Sequence, residues 1–391
     1  MSGLIPQAAI DDLLDRTDCV EVAARYVSLR GRAAKRIGPC PICSPDSQSK
    51  SATRFEVTRE KWVCAVCPDG GTAIALVMKA ENLDFRAAVE RLGGCREIDP
   101  VEAERIAAKR KAEQEKRERE AAKYREDERA ELWRIWKLAK ANGRNLIDAY
   151  HRCRDLRTPP DLRMRQLPNW PYYADKEKGK PLRILHRGPC LISPIMGVVS
   201  LDPFEVRFSG LHFTWIDLSA SKGKAVIVDR ESGEIMPPKK VRGTKGGGFI
   251  IVQGDLKTAR KMICGEGRET VQAVYSSMVR TGTPIEGIAF VAAVDLGNLA
   301  GKAIDRQPHP SKKSPAGRPQ SVPGDVPDLE SIAMPVPPQI EELIGLGDGD
   351  SDPFATKLAM TRFARRHARP GRKIKIPFPP DGEDFDSWRS K

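Results

Sequence analysis

The chain has 391 residues, room for two or three domains at roughly 150 residues each. Lys and Arg total 66 against 53 Asp and Glu, a formal net charge of +13, which favours polyanionic partners, chiefly nucleic acid. With 40% hydrophobic and 30% charged residues the composition is that of a globular protein. No run of ~18 apolar residues offers a membrane span, and the opening MSGLIPQAAIDDLLDR lacks the basic-then-apolar plan of a secretory signal.

Four of the nine cysteines fall in two tight pairs, and the odd total argues against a disulfide framework. Residues 1–97 read as one unit. IDDLLDRTDCVEVAARYV has helical apolar spacing, and AIALVMKAENLDFRAAVERLGG reads as two short helices stopped by Gly93 and Gly94. Between them lie Cys40-Pro-Ile-Cys43 and Cys64-Ala-Val-Cys67, 20 residues apart. RFEVT and KWVC supply two strands of a ribbon between the pairs. Two C-x2-C turns at this spacing predict four thiolates on one structural zinc, with no position left open for catalysis. Residues 98–142 read as a charged helical linker. Between 101 and 130, 19 of 30 side chains are charged, ten basic and nine acidic, with neither Pro nor Gly. The end of this helix, ELWRIWKLAKA, carries two tryptophans to pack on the segment after it.

Residues 143–255 predict an α+β segment whose strands include LISPIMGVVS, VRFSGLHFTWIDL and GGFIIVQG, with KGGG at 245–248 read as a hairpin turn. Residues 256–391 alternate strand and helix, which predicts a parallel sheet, interrupted by an exposed Pro-, Ser- and Lys-rich insertion at 307–338. Three acidic motifs follow predicted strands: Glu266-Gly-Arg268-Glu269-Thr270, Asp348-Gly-Asp350-Ser351-Asp352, and Asp381-Gly-Glu383-Asp384-Phe-Asp386. Functional groups collect beyond the carboxyl ends of parallel strands, so the three are expected to converge. Clustered carboxylates are tolerable when a divalent cation neutralises them. Asp352 is also placed to cap the helix starting near Pro353.

Two resemblances rest on these residues. The order helix, CPIC, RFEVTREKWVCAVC, GG, AIALVMKAENLDFRAAVERLGG resembles the zinc-binding domain of bacterial and phage DNA primases. The second ligand, often His in that family, is Cys43 here, and Pro68-Asp69-Gly70-Gly71 replaces the usual Gly-rich stretch. The resemblance implies that the ribbon meets single-stranded DNA, with Arg54, Phe55, Lys61 and Trp62 as candidate contacts; Phe55 and Trp62 serve equally well as the ribbon's core. EGxET, DGDSDP and DGxDFxD resemble a Toprim domain, most of all those of phages and other mobile elements, with the insertion as the main departure.

The expected fold is therefore multidomain: a zinc ribbon with helices, a long charged helix, then an α+β primase core ending in a Toprim parallel sheet. The resemblance implies Mg²⁺ or Mn²⁺ held among Glu266, Asp348, Asp350, Asp384 and Asp386, with Glu266, Asp348 and Asp350 catalytic. Glu266 is a general base toward a 3′-hydroxyl or a further metal ligand. Arg268 either contacts a nucleotide phosphate or pairs with Glu269. The basic helix bearing Arg365 and Arg366 either tracks a nucleic-acid backbone or is a solvated face. The implied activity is synthesis of short RNA primers from ribonucleoside triphosphates on a single-stranded DNA template, in the cytoplasm of a bacterium and from a phage or plasmid gene. A Toprim nuclease and a non-catalytic single-stranded-DNA-binding adaptor are the alternatives. No Walker A motif is present, so a separate helicase or single-strand-binding partner is expected.

Overall fold

The structure is a computed structural model that describes residues 5–31, 35–43, 55–65, 69–95, 99–139, 144–174, 181–313, 319–349, 351–380, 382–383 and 385. The chain divides into two units, residues 1–121 with 308–321 and residues 122–307 with 322–391. No helix among the described residues is long and apolar enough to cross a membrane.

In the first unit, helices α1 (Gln7–Arg16) and α2 (Cys19–Ala24) precede a four-stranded antiparallel sheet. Its strands, in spatial as in chain order, are β1 (Lys35–Gly38), β2 (Phe55–Thr58), β3 (Trp62–Cys64) and β4 (Asp69–Gly71). Helices α3 (Ala73–Ala80) and α4 (Phe85–Arg91) follow. Asp18 and Asp84 cap α2 and α4 by accepting the amides of Val20 and Ala87. The ribbon and these helices close on one core that includes Leu13, Val22, Phe55, Val57, Trp62 and Leu76. Helix α5 (Pro100–Leu138) begins here, and the division between the units falls within it. In this unit Arg110 reaches Asp15 at 2.9 Å.

In the second unit, the end of α5 buries Leu132, Ile135 and Trp136, as its apolar end predicts. Helix α6 (Arg144–Cys153) and strands β5 (Arg165–Tyr173), β6 (Ile184–Leu201) and β7 (Phe204–Trp215) follow. A small ladder of β8 (Ile227–Val228) and β9 (Ile235–Met236) leads to β10 (Lys239–Gly243) and β11 (Gly248–Gln253). The chain then alternates: β12 (Lys261–Gly265), α7 (Arg268–Arg280), β13 (Ile288–Ala292) and the five-residue α8 (Leu296–Ala300). Strands β14 (Arg306–Lys313) and β15 (Pro319–Pro323) form a separate two-stranded ladder, most of which belongs to the first unit, and β16 (Glu342–Leu346), α9 (Pro353–His367) and β17 (Lys373–Lys375) then complete the second.

One sheet runs β10-β7-β6-β11-β13-β12-β16-β17, with β5 beside β6. Its first half is antiparallel; β13, β12, β16 and β17 are parallel to one another. Strand β11 pairs antiparallel with β6 through Gly248 and Phe249 and with β13 from Ile250 onward, so it belongs to both halves. Every residue of β13 is buried, as in a parallel sheet covered on both faces.

Two expectations need correction. The amide of Gly248 does bond the Lys245 carbonyl at 2.9 Å, closing a turn. That turn is not a hairpin, however: β10 and β11 are separated in the sheet by β7 and β6. The 307–338 insertion is not all exposed loop either. Met334 and Val336 return to the core with Ile340, since apolar side chains in this stretch gain by leaving water.

Candidate functional site

The cysteines expected to hold zinc are positioned by the ribbon. Cys64 ends β3, Cys40 and Cys43 flank the turn after β1, and Cys67 lies outside the described residues. The sulfurs of Cys40, Cys43 and Cys64 lie within 4.8 Å of one another, with Cys43 Sγ 3.8 Å from Cys64 Sγ. Tetrahedral zinc with Zn–S bonds of about 2.3 Å separates its sulfurs by about 3.8 Å, so the spacing fits the ion. The Ile42 amide donates to Cys40 Sγ from 3.5 Å. Cys19 is no competitor, because burial pushes its thiol up to about 12.

The first two acidic motifs end neighbouring strands. Gly265 of β12 is in register with Leu346 of β16, so Glu266 and Asp348 stand one and two residues past adjacent strand ends. Both are half-buried. Ser351 Oγ donates to Asp348 Oδ2 at 3.0 Å, and Asp352 caps α9 through the Ala355 amide at 2.8 Å. The third motif is tied to the second by backbone: the Gly382 amide bonds the Gly349 carbonyl at 2.7 Å. Gly349 has no room for a side chain, since a Cβ there would sit 2.8 Å from the Pro380 carbonyl oxygen. Asp350, Asp384 and Asp386 lie outside the described residues.

Residues 5–107 match the model of the CHC2 zinc finger family. Among curated proteins, the DNA primase of Legionella pneumophila is 44% identical over 94 residues, 24% of this chain and 16% of that protein. That of Pseudomonas aeruginosa is 37% identical over 107 residues, 27% of this chain and 15% of that protein. Residues 5–107 thus resemble the CHC2 zinc fingers found in those DNA primases. The match takes in about a sixth of the length of those primases. Against the zinc-binding and RNA polymerase domains of the Aquifex aeolicus primase the TM-score is 0.34 at 16% identity, over 100% of this chain and 82% of that one, too slight to argue from.

Two contacts expected of the CHC2 finger are overturned. Phe55 is 0% and Trp62 1% exposed, their rings 5.8 Å apart, and Trp62 Nε1 donates to the Thr72 carbonyl at 3.1 Å. Both serve the core and present no face to a base. Lys61 is exposed in the turn between β2 and β3; Arg54 lies outside the described residues.

Arg268 is corrected as well. It is 3% exposed and bonds Glu269 at 3.2 Å, Gln272 Oε1 at 2.8 Å and His151 Nε2 at 3.1 Å. It therefore has no access to a phosphate. The sequence reading missed the hub that it joins. Glu269 also accepts from Tyr150 Oη at 2.9 Å and from Lys239 Nζ at 2.8 Å. Burial alone would raise the Glu269 carboxyl; Lys239, Arg268, Lys224 and Arg154 outweigh it and hold the group well below the usual carboxylate range. Burial in turn pushes the Lys224 ammonium down to about 8. Four cations around one carboxylate leave this region beside the start of α7 net positive.

Arg365 and Arg366 do not form the free basic face expected of α9. Arg365 pairs with Asp325 at 2.9 Å and Arg366 donates to Ser331 Oγ at 2.7 Å, while buried Arg362 bonds the carbonyls of Gly301 and Gly324. These arginines pin Gly301 and residues 324–331 to the helix. A groove with a surplus of basic side chains lies elsewhere in the unit, a cavity of about 550 Å³ lined by Arg125, Glu126, Arg129, Arg207, Ser209 and the Gly246–Gly247 turn, in which Arg129 pairs with Glu126.

Two buried histidines, His151 and His212, and the half-buried His367 make the second unit acid-sensitive. Arg268 donates to His151 Nε2, so Nδ1 carries the proton and donates to Thr158 Oγ1 at 2.9 Å. Burial holds His151, His212 and His367 each down to about 3. The unfolded imidazole, at about 6.5, binds protons first as pH falls. Their stabilisation is thus complete above about pH 6.5 and is lost on the way down to 3. At pH 5 the loss is about 2 kcal/mol for each, before ordinary carboxylates titrate. Urea unfolding of the full chain should show the second unit's midpoint dropping steeply between pH 7 and 5; a flat profile there would contradict these environments.

Proposed function

We propose that the chain is a DNA primase that makes short RNA primers on single-stranded DNA by metal-dependent nucleotidyl transfer. The observation that carries this reading is one chain bearing a primase-type CHC2 finger and, beyond it, carboxylates at the ends of neighbouring parallel strands β12 and β16. That strand arrangement supports the Toprim resemblance of residues 256–391.

Glu266, Asp348, Asp350, Asp384 and Asp386 are the residues we assign to one or two Mg²⁺ or Mn²⁺ ions. The donor set fits hard cations, being all carboxylate oxygen with room left for water and phosphate. Bound there, the metal supplies charge stabilisation at the phosphorus being transferred. Glu266 either accepts the proton of the attacking 3′-hydroxyl or completes the metal shell. The surplus of cations around Glu269, three residues on, favours polyphosphate nearby. We assign Lys61 of the finger and the groove at Arg125 and Arg207 to the template backbone. A separate helicase or single-strand-binding protein would supply unwound template.

The test is incubation of the full chain with single-stranded DNA, labelled ribonucleoside triphosphates and Mg²⁺. Short RNA oligomers formed without a starting primer are expected. Cut DNA would instead assign a nuclease, and retention of DNA without product an adaptor; either overturns the proposal.

A further inference from the structure

The groove assigned to the template and the loop beyond β13 are tied together by one buried side chain, Asn298 of α8. Its Oδ1 accepts the Gly247 amide at 2.8 Å, and its Nδ2 donates to the carbonyls of Gly248 and Ala293, each at 2.8 Å. Its own carbonyl accepts the Met334 amide at 2.6 Å. Gly246, Gly247, Ile332, Ala333 and Pro335 all line the groove, so Asn298 holds both segments that carry them. The bond to Ala293 runs the other way. The Ala293 amide donates to the Gly265 carbonyl at 2.9 Å, one residue before Glu266. Val294 follows with φ at +77°, a costly region for a β-branched side chain that persists only where its surroundings fix it. A second tie joins the same turn to the same loop, Lys245 Nζ to Asp295 Oδ2 at 2.7 Å. Two carbonyls need a donor from residue 298 and one amide needs an acceptor. Aspartate would turn a carboxylate oxygen toward the carbonyls instead.

We infer that Asn298 is a positioning residue that keeps the template groove in register with the acidic strand ends. The inference rests on the primase reading and adds a residue that this reading does not use. Copying requires the templating base at a fixed distance from the reacting phosphorus, and a misplacement of about 1 Å can cost about 10²-fold in rate.

The test is single-nucleotide extension of a short RNA annealed to template by the full chain, with matched and mismatched ribonucleotides supplied separately, beside template affinity. Asn298→Asp should lower kcat for the matched nucleotide about 10²-fold and narrow the matched-to-mismatched ratio of kcat/KM about tenfold, with template affinity kept within about threefold. Loss of folded protein lowers both nucleotides alike and leaves that ratio unchanged, so the ratio separates positioning from stability. Lys245 is exposed, and Lys245→Met, which removes a surface ion pair, should narrow the ratio about threefold; it decides the matter if Asn298→Asp does not fold. An unchanged ratio in the folded variants, or a loss confined to template affinity, overturns the inference and leaves the primase reading standing. A wild-type chain that extends nothing overturns the primase reading and the inference with it.

Discussion

Asp348→Asn and Glu266→Gln should each cut primer synthesis about 10³-fold while leaving single-strand affinity within about twofold. The replacements keep size and remove charge. Carboxylates that hold a catalytic cation supply several kcal/mol of transition-state stabilisation, and about 4 kcal/mol corresponds to 10³ in rate. Both side chains are half-buried at adjacent strand ends, so an amide leaves the packing of β12 and β16 in place and the loss should fall on the chemistry. Product quantified at saturating template, beside fluorescence anisotropy for binding, separates the two effects. Synthesis within tenfold of wild type in either variant would remove that residue from the metal site.

Metal removal should unfold the first unit and spare the second. Structural zinc contributes about 10–16 kcal/mol in small zinc-finger peptides, on the scale of a whole domain's stability. Trp62 reports the event, being the one tryptophan among residues 1–121 and 1% exposed. Excess chelator should shift its emission to the red, and Cys64→Ser should show the same shift without chelator. Cys43→His should keep the metal and the buried emission, since imidazole nitrogen is an equally good zinc ligand. Buried Trp62 fluorescence in metal-free protein would mean that the apolar core, not the ion, holds the ribbon together.

Local chemistry made much of this molecule legible. Two C-x2-C turns need only their own backbones to aim four thiolates, and KMIC and IEELIGL announce strands whose next residues are acidic. Even the burial of Phe55 was within reach: with Val57 it forms one face of a strand that alternates with Glu56 and Thr58. What the sequence hid was long-range. Arg365 and Arg366 find their partners at Asp325, Asp328 and Ser331, and no spacing rule links a helix to acceptors 35 to 40 residues upstream. Lys239, Tyr150 and Arg268 meet at Glu269 from three separate elements, so their convergence exists only after folding. The crossover after Lys245 likewise depends on where the sheet seats β11, and turn chemistry alone reads as a hairpin.

Strand β11 also bears on how such a gene can change. It lends one edge to the antiparallel half and the other to the parallel half, so a splice between β10 and β12 would leave one parent's sheet raw-edged and aggregation-prone. Recombination among related genes should therefore exchange residues from about 144 onward as a block. Viable chimaeric joints are expected within α5, where helix can be swapped for helix without opening a sheet.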